Sequence, residues 1–476
     1  MSSHTDSWEE DGGLERVRVL KTPVEGRWVE LRSFPAFLLL IAPLFAAAQG
    51  GGQQTPSSMP GMSMPSSDRV AGAPVMSMQP QNFLEAIEAH TSSGTSAEPD
   101  STPAPMLMTM KGSWMLMFHA NVFITDVQES SPRGRAKLFS TNWLMPMAQR
   151  GLGRGTFTVR AMLSLEPATI TGRQYPLLFQ QGETAYGLPI ADAQHPHNLF
   201  MELAALYDLK LGSNALLSFY AAPVGDPAIG PTAYPHRASA FEDPVGALGH
   251  HQEDSTHISD DVVTVGLTYR LVRIEASGFH GREPNENRWN IHQGSIDSWS
   301  TRLTLQPGRN WSGQYSYARI TSPEALFPQE NQERMTASLM YNRPLQNGNW
   351  ANTILWGRTR SLSDNAVFNS YLLESTLRFR VKNYVWTRLE NAERSNELIL
   401  GEAPLPPGFE EQPVGMVQAY TLGYDRDVDL VPHLASAIGA QVTTYGVPDR
   451  LRPTYGGHPA GVALFVRLRP FSGGGR

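Results

Sequence analysis

Polar and apolar side chains alternate along many stretches of about ten residues in this chain. The clearest case is the pair of segments 297–306 and 310–319, which Pro307 and Gly308 join in a tight turn. In both segments, apolar or aromatic side chains occupy one face and polar side chains occupy the other. A period of two places successive side chains on opposite faces of a β-strand. Strands of this length with one apolar face are typical of a transmembrane β-barrel, whose outer face contacts lipid.

Sixteen segments after residue 113 show strand-like patterns, and the connections between them alternate between short and long. Short turns at one end and long loops at the other are typical of an outer-membrane barrel. The sequence therefore predicts an all-β fold, a transmembrane antiparallel β-barrel of about sixteen strands, or twelve to fourteen if 136–147 or 434–443 is a loop. The predicted strands are 114–127, 136–147, 155–165, 197–209, 213–222, 262–270, 271–280, 297–306, 310–319, 333–342, 349–358, 370–379, 383–392, 415–424, 434–443 and 460–469.

Several charged residues fall on the polar face of the predicted strands. In a membrane barrel this face lines the lumen, where a charge is tolerated only if the lumen is wet or the charge is paired. We therefore predict that these residues line a pore. They are Arg160, Arg270, Arg273, Arg302, Arg378, Arg388, Glu275, Glu374 and Glu390.

The connection between the fifth and sixth predicted strands, residues 223–261, is the third outer loop of the predicted barrel and is rich in acidic residues. Acidic groups that face the pore-lining arginines would produce a transverse field across a constriction. Such a field orients polar solutes and sets ion preference. The predicted constriction residues are Glu242, Asp243, Glu253, Asp254, Asp260 and Asp261.

The region before the barrel has a different composition. Phe34–Ala48 is a short apolar run that follows Arg32 and ends in small residues, the pattern of a secretory signal peptide. We predict three parts: residues 1–48, a signal peptide with a long N-terminal extension; residues 49–110, a periplasmic leader rich in Met, Pro, Gly and Ser; and residues 111–476, the barrel. Most of the leader has too few hydrophobic residues for a folded core, so we expect disorder there apart from one short helix at 82–90.

Ten of the eighteen methionines lie between residues 59 and 117. In an extended chain, a Met-x-Met pair places both thioethers on one side, and soft sulfur ligands favour copper(I) or silver(I). A tether or a periplasmic plug is the alternative role of the leader. For Met115 and Met117, on the first strand, we favour lipid-facing positions. The candidate metal ligands in the leader are Met62, Met64, Met76, Met78, Met106, Met108 and Met110.

Histidines are concentrated in the second and third outer loops. His250, His251 and His257 lie close to carboxylates, a combination that suits a divalent metal ion or a pH-sensitive gate. The alternative is a packed, hydrogen-bonded loop that lines the pore. A serine hydrolase is a further alternative, since Ser255 lies four residues after His251. No nucleophile motif surrounds this serine, so the sequence does not predict an enzyme.

The absence of cysteine excludes a disulfide framework, thiolate catalysis and a lipoprotein anchor. The net charge of −7 argues against a general nucleic-acid partner.

An exported, cysteine-free chain with sixteen predicted strands and a long third outer loop resembles the bacterial porin class of outer-membrane proteins. In general porins this loop folds into the pore and narrows it, so the resemblance implies that residues 223–261 form a constriction. The Met-rich leader resembles those of copper-resistance outer-membrane proteins.

We therefore expect an outer-membrane channel of a Gram-negative bacterium that passes small polar or ionic solutes and needs no cofactor. Its expected partners are outer-membrane lipid and the solutes, and the porin class allows a homotrimer. Two alternatives are open. One is a copper-handling outer-membrane protein that uses the leader and the histidine-rich loops, and the other is a non-conducting structural barrel closed by paired charges.

Overall fold

The computed structural model describes residues 79–254, 259–431 and 434–470, and in them sixteen antiparallel strands form one closed barrel. Each barrel strand pairs with its neighbours in sequence, and the last strand pairs with the first, where Val122 lies opposite Leu468. All sixteen predicted strands are confirmed. They are Trp114–Ser130 (β1), Ala136–Leu152 (β2), Gly155–Leu163 (β3), Phe200–Lys210 (β4), Ala215–Gly225 (β5), Ser259–Tyr269 (β6), Val272–His280 (β7), Ser298–Gly308 (β8), Trp311–Thr321 (β9), Asn331–Leu345 (β10), Gly348–Ser361 (β11), Val367–Phe379 (β12), Asn383–Ser395 (β13), Pro413–Val431 (β14), Leu434–Gly446 (β15) and Ala460–Pro470 (β16).

The alternation in the sequence sets the two faces of the barrel wall. On β8, Trp299 and Leu305 point outward and are 47% and 45% exposed, whereas Arg302 points inward and is buried. The same outward exposure of apolar side chains recurs around the barrel, for example at Leu422 on β14 and Ile354 on β11. Because a continuous apolar outer surface is stable against lipid and not against water, the wall lies in a membrane.

Short turns connect the strands at one end of the barrel, which we call the short-turn end. The opposite end carries the longer loops. The second outer loop spans 164–199, the third spans 226–258 and the fourth spans 281–297. The third outer loop is therefore shorter than the predicted 223–261, because β5 continues to Gly225 and β6 begins at Ser259.

Residues 79–106, which we call the N-terminal segment, begin with a short helix, Phe83–Ala89 (α1). This helix confirms the one predicted at 82–90. The Asn82 side chain accepts a hydrogen bond from the backbone N–H of Glu85 and caps the helix N-terminus. Phe83 and Ile87, one turn apart, pack against Leu216 at the start of β5. The segment is thus anchored at the short-turn end.

The remaining described elements are short. Leu107–Lys111 pairs with the first residues of β1 through a turn in which Gly112 has a φ of 62°. No helix among the described residues is long and apolar enough to cross a membrane. The short helices of the outer loops are Glu166–Thr169, Thr171–Arg173, His250–Glu253, Glu397–Leu400 and Arg452–Tyr455.

Candidate functional site in the barrel lumen

The third outer loop folds into the barrel and crosses the lumen. The backbone N–H of Gly230 donates to the Ser316 hydroxyl on β9 at 2.9 Å. Further along the loop, the Pro244 carbonyl accepts from the Thr141 hydroxyl on β2 at 3.0 Å. Since β2 and β9 lie on nearly opposite sides of a ring of sixteen strands, one loop bridges the whole width of the lumen.

A chain of five alternating charges joins this loop to the wall. Arg388 on β13 pairs with Asp243 of the loop at 3.0 Å and with Glu374 on β12 at 2.9 Å. Arg237 of the loop pairs with the same Glu374 at 2.8 Å and with Asp254 at 3.0 Å. All five side chains are at most 3% exposed. Each charge is compensated by a neighbour, which is the condition under which ions can be buried.

A second cluster of charges surrounds Arg467 on β16. Its guanidinium pairs with Glu242 of the third outer loop, with Asp425 and with Asp427, while Arg469 pairs with Glu242 at 2.9 Å. Burial alone would raise the pKa of Glu242, but the two arginines hold it below its usual value. Glu242 is therefore ionised and binds the loop to this side of the wall.

The N-terminal segment is held in the lumen mainly by Arg160 on β3. This arginine makes two hydrogen bonds of 2.7 Å to the Glu202 carboxylate on β4. Its remaining N–H groups donate to the carbonyls of His90 at 3.2 Å, Ser92 at 2.6 Å and Gly94 at 2.6 Å. The planar guanidinium thus satisfies three backbone carbonyls of a stretch that belongs to no strand.

Arg302 on β8 connects the wall to both inserted elements. It pairs with Glu275 on β7 at 2.9 Å and donates to the Thr95 hydroxyl of the N-terminal segment at 2.9 Å. It also donates to the Gly230 carbonyl of the third outer loop at 3.1 Å. Arg273 completes this group by pairing with Glu275 at 3.0 Å.

The N-terminal segment and the third outer loop also contact each other. The backbone N–H of Ser93 donates to His236 Nδ1 at 3.1 Å, and the Ser96 hydroxyl donates to Thr232 at 3.2 Å. A cavity of about 10 Å³ lies beside Ser93, and one of about 30 Å³ lies between Trp143 and the loop. Cavities of this size hold about one or two water molecules. The two inserted elements are therefore in direct contact inside the barrel.

The structure places eight of the nine predicted pore-lining residues at inward positions, seven of them buried, and one elsewhere. Arg270 is exposed in the turn after β6, has a φ of 53° and lies 5.4 Å from the centre of the Tyr269 ring. The alternation of inward and outward side chains ends at Tyr269, so Arg270 does not point into the lumen as predicted. Arg378 is half-buried near the short-turn end of β12, where it donates to the Val381 carbonyl at 2.7 Å. The seven buried inward residues are Arg160, Arg273, Arg302, Arg388, Glu275, Glu374 and Glu390.

The predicted constriction residues also divide into two groups. Glu242, Asp243, Glu253 and Asp254 belong to the third outer loop and lie buried in the lumen. There they bond directly to wall residues and to Arg237 instead of facing arginines across a gap. For Glu253, burial raises the pKa to about 8, although the Ser370 hydroxyl donates to it at 2.6 Å. Asp260 and Asp261 lie on the strand itself. They are outside the loop because β6 begins at Ser259.

Three of the seven predicted methionine ligands lie among the described residues. Met62, Met64, Met76 and Met78 lie outside the described residues, as does His257. Met106 and Met108 pack inside the barrel with methionines of β1 to β4, whereas Met110 is exposed.

The lipid-facing prediction for Met117 is wrong, and Met115 packs against the same interior methionine cluster. On β1 the buried positions other than Ala120 are odd-numbered, such as Met117, His119 and Thr125. Both faces are apolar at the start of this strand, so composition alone could not distinguish them.

The two described histidines of the predicted metal set, His250 and His251, are adjacent in the short helix His250–Glu253, with ring centres 4.1 Å apart. His250 Nδ1 lies 3.1 Å from the Ala247 carbonyl. Ser255, the serine of the hydrolase alternative, lies outside the described residues.

Sequence reasoning missed three central residues, namely Glu202, Arg237 and Arg467. Arg467 alternates with the outward Val466 and Leu468, so the strand pattern contained a signal for it, and the same holds for Glu202 on β4. Arg237 had no such signal, because its position depends on the path of a loop.

A closed barrel of sixteen strands, with an apolar outer face, a charged inner face and an inserted third loop, defines a porin-like outer-membrane β-barrel. No protein-family model matches the sequence, and no curated protein matches it. Among solved structures, the chain is similar to an anion-selective porin from Comamonas acidovorans, with a TM-score of 0.46 and 10% identity over 75% of this chain and 99% of that chain.

Two further solved structures show a comparable likeness. OmpF from Salmonella typhi, in a complex with daunomycin, has a TM-score of 0.46 and 9% identity over 76% of this chain and 100% of that chain. OprB from Pseudomonas putida at high pH has a TM-score of 0.45 and 8% identity over 75% of this chain and 94% of that chain. The strand pairing described above establishes the barrel independently of these likenesses.

Proposed function

We propose that this protein is an outer-membrane channel that passes small polar or ionic solutes through its lumen. The observation that carries the proposal is the inward face of the wall, which presents arginines and carboxylates from β3 to β16. A barrel with a purely structural role could fill its interior with apolar side chains and avoid the cost of burying ions. Charged wall groups instead supply a hydrated path once the inserted elements move.

In this proposal the third outer loop or the N-terminal segment moves when solutes pass, since both enter the lumen. The contacts that hold the loop are ion pairs and hydrogen bonds, and water can replace these when the loop leaves. Departure of the loop removes Glu242 and Asp243 from the wall arginines Arg388, Arg467 and Arg469. Arg388 would then keep Glu374, and Arg467 would keep Asp425 and Asp427, while two carboxylates are lost from this side of the lumen. The loss of these two negative charges shifts the local balance towards anions.

The described contacts also support a periplasmic leader. Arg309, in the turn after β8, donates to the Pro80 carbonyl at 3.2 Å, so the N-terminal segment enters the barrel from the short-turn end. In outer-membrane barrels this end faces the periplasm. We extend the proposal to removal of residues 1–48 as a signal peptide, a leader from 49 to 110 whose last part lies in the lumen, a Gram-negative host and assembly as a homotrimer.

Single-channel recording in a planar lipid bilayer tests the channel. The refolded protein without residues 1–48 should show discrete conductance steps, and the double substitution Glu242→Gln and Asp243→Asn should shift its reversal potential towards anion preference. The matched control is Asp449→Asn, an exposed carboxylate in the last outer loop, which should leave the reversal potential unchanged. Absence of conductance at all voltages, in a protein that still shows heat-modifiable barrel migration in gels, would refute the channel.

A further inference from the structure

Three side chains from two outer loops meet at the loop end of the barrel. They are Glu183 and His195 of the second outer loop and His251 of the third. One carboxylate oxygen and one ring nitrogen from each histidine all lie within 4.8 Å of one another. Glu183 Oε1 and His195 Nε2 are 3.2 Å apart. The three ligand atoms therefore surround a common point.

The local structure of the second outer loop brings its two residues together. Thr184–Ala185 pairs with Leu188–Pro189 in a tight hairpin directly after Glu183, and the Ile190 N–H donates to the Glu183 carbonyl at 2.8 Å. The next ladder joins Tyr175–Pro176 to Ala193–Gln194, immediately before His195. Backbone hydrogen bonds thus hold both ligand residues, so the part of the site that belongs to the second outer loop is rigid.

The hydrogen bonding of His195 directs one ring nitrogen towards Glu183. Its Nδ1 lies 2.9 Å from the Pro196 carbonyl, which can only accept, so Nδ1 carries the proton. The other ring nitrogen, Nε2, faces Glu183 Oε1 at 3.2 Å. A ring N–H bonded to a backbone carbonyl is the usual outer-sphere arrangement of a histidine that binds metal.

We propose that Glu183, His195 and His251 bind one divalent transition-metal ion of the zinc type, which fastens the third outer loop to the second. Two imidazoles and one carboxylate form a common zinc donor set, with water as the fourth ligand. Bonds of about 2.0–2.1 Å at tetrahedral angles place ligand atoms about 3.3 Å apart. The Glu183–His195 pair already has this spacing. Arg288, which donates to Glu183 Oε2 at 3.3 Å, leaves Oε1 directed at the site.

The ion would act on the element that crosses the lumen. His251 lies in the short helix that also carries Glu253, whose carboxylate accepts from Ser370 on β12. The next residue, Asp254, pairs with Arg237 in the charge chain of the lumen. A metal ion at His251 therefore stabilises the loop in the position described here, and it would lower conductance if the loop must move for solutes to pass.

Calorimetric titration of the whole detergent-solubilised protein with Zn²⁺ tests the site. We expect saturable binding that Glu183→Gln and His251→Ala each weaken by more than the roughly 10- to 100-fold that loss of an outer-sphere partner costs. The matched control is His458→Ala, an exposed histidine in the last outer loop, which should bind as the wild type does. Absence of saturable binding in the wild type, or unchanged affinity in His251→Ala, would overturn the proposal.

Two further readouts keep the result independent of folding and of the channel. His251→Gln, with heat-modifiable migration checked, must lose zinc as His251→Ala does. Co²⁺ in place of Zn²⁺ should give the intense visible absorption of a tetrahedral site in the wild type and lose it in Glu183→Gln. The effect of Zn²⁺ on conductance rests on the proposed function. A protein that shows no conductance but still binds zinc would therefore refute the channel and support the metal site.

Discussion

Asp243 in the third outer loop and Arg388 on β13 form an ion pair of 3.0 Å, with side chains 2% and 3% exposed. The two residues are far apart in sequence, and the pair exists only because the loop enters the barrel. Arg388 keeps a second partner, Glu374, when Asp243 leaves. When the loop opens, Arg388 becomes exposed to the lumen but keeps the counter-charge of Glu374. A movable constriction requires such a second partner.

Asp243→Asn should make the loop easier to displace. The substitution removes one charge of a buried ion pair, a change that typically costs up to about 3–5 kcal/mol. We expect a higher open probability in planar bilayers. Asp449→Asn, which alters a pair with side chains 60% and 87% exposed, should have no effect, since exposed pairs contribute little. Equal open probabilities for the two variants would contradict the role of the buried pair.

Arg160→Lys should loosen the N-terminal segment. An ammonium group has three donors and no planar fork, so it cannot replace the bonds to three carbonyls and to Glu202 together. Because the chain has no cysteine, a single Ser92→Cys substitution reports exposure of the segment through its rate of thiol labelling. Labelling should be faster in the Arg160→Lys background. Arg154→Lys, in an exposed turn, should leave the rate unchanged.

Gly94→Ala should displace the same segment by a steric route. Gly94 has a φ of 60°, and a Cβ there would lie 2.5 Å from the Asp226 Cβ of the third outer loop. Gly112 has a φ of 62°, and a Cβ added there would meet no atom within 4 Å. Both alanines carry the backbone strain of about 1–2 kcal/mol, but only Gly94→Ala adds a clash. In the Ser92→Cys background, labelling should therefore accelerate in Gly94→Ala and not in Gly112→Ala.

Conductance should rise with pH through Glu253. Burial raises the pKa of its carboxyl from 4.5 to about 8, so between these values the closed loop binds more protons than a solvated loop does. The closed state is accordingly most stable below about pH 4.5 and loses stability as the pH rises to about 8. We expect open probability to increase over this range. Glu253→Gln imitates the protonated acid and should remove the contribution of Glu253 to the pH dependence of the open probability. An unchanged pH profile in this variant would contradict the role of Glu253.

Ile354→Lys should destabilise the barrel in lipid by about 2–4 kcal/mol, because Ile354 lies mid-strand on the outer face. The matched control is Ile296→Lys in the fourth outer loop, since Ile354 and Ile296 are 58% and 56% exposed. Urea unfolding in lipid vesicles measures both variants. Equal stabilities would show that β11 does not face the membrane core.

The sequence by itself determined the barrel wall. A period of two is a property of the strand backbone, so the two faces of a segment such as β8 can be read without knowing its neighbours. The same local rule identified Arg160, Arg302 and Arg388 as inward residues. It was ambiguous at Met117, where both faces are apolar, and it ended at Arg270, where the chain turns.

Only the tertiary structure decided what lies inside the wall. The carboxylate of Glu374 meets Arg237, and Arg160 meets the carbonyls of a segment about seventy residues away, because a loop and a leader fold into the lumen. The meeting of Glu183 and His195 with His251 depends on the same loop. No local periodicity encodes these contacts. They follow from the path of irregular backbone, which is set by hydrogen bonds and ion pairs to many strands at once.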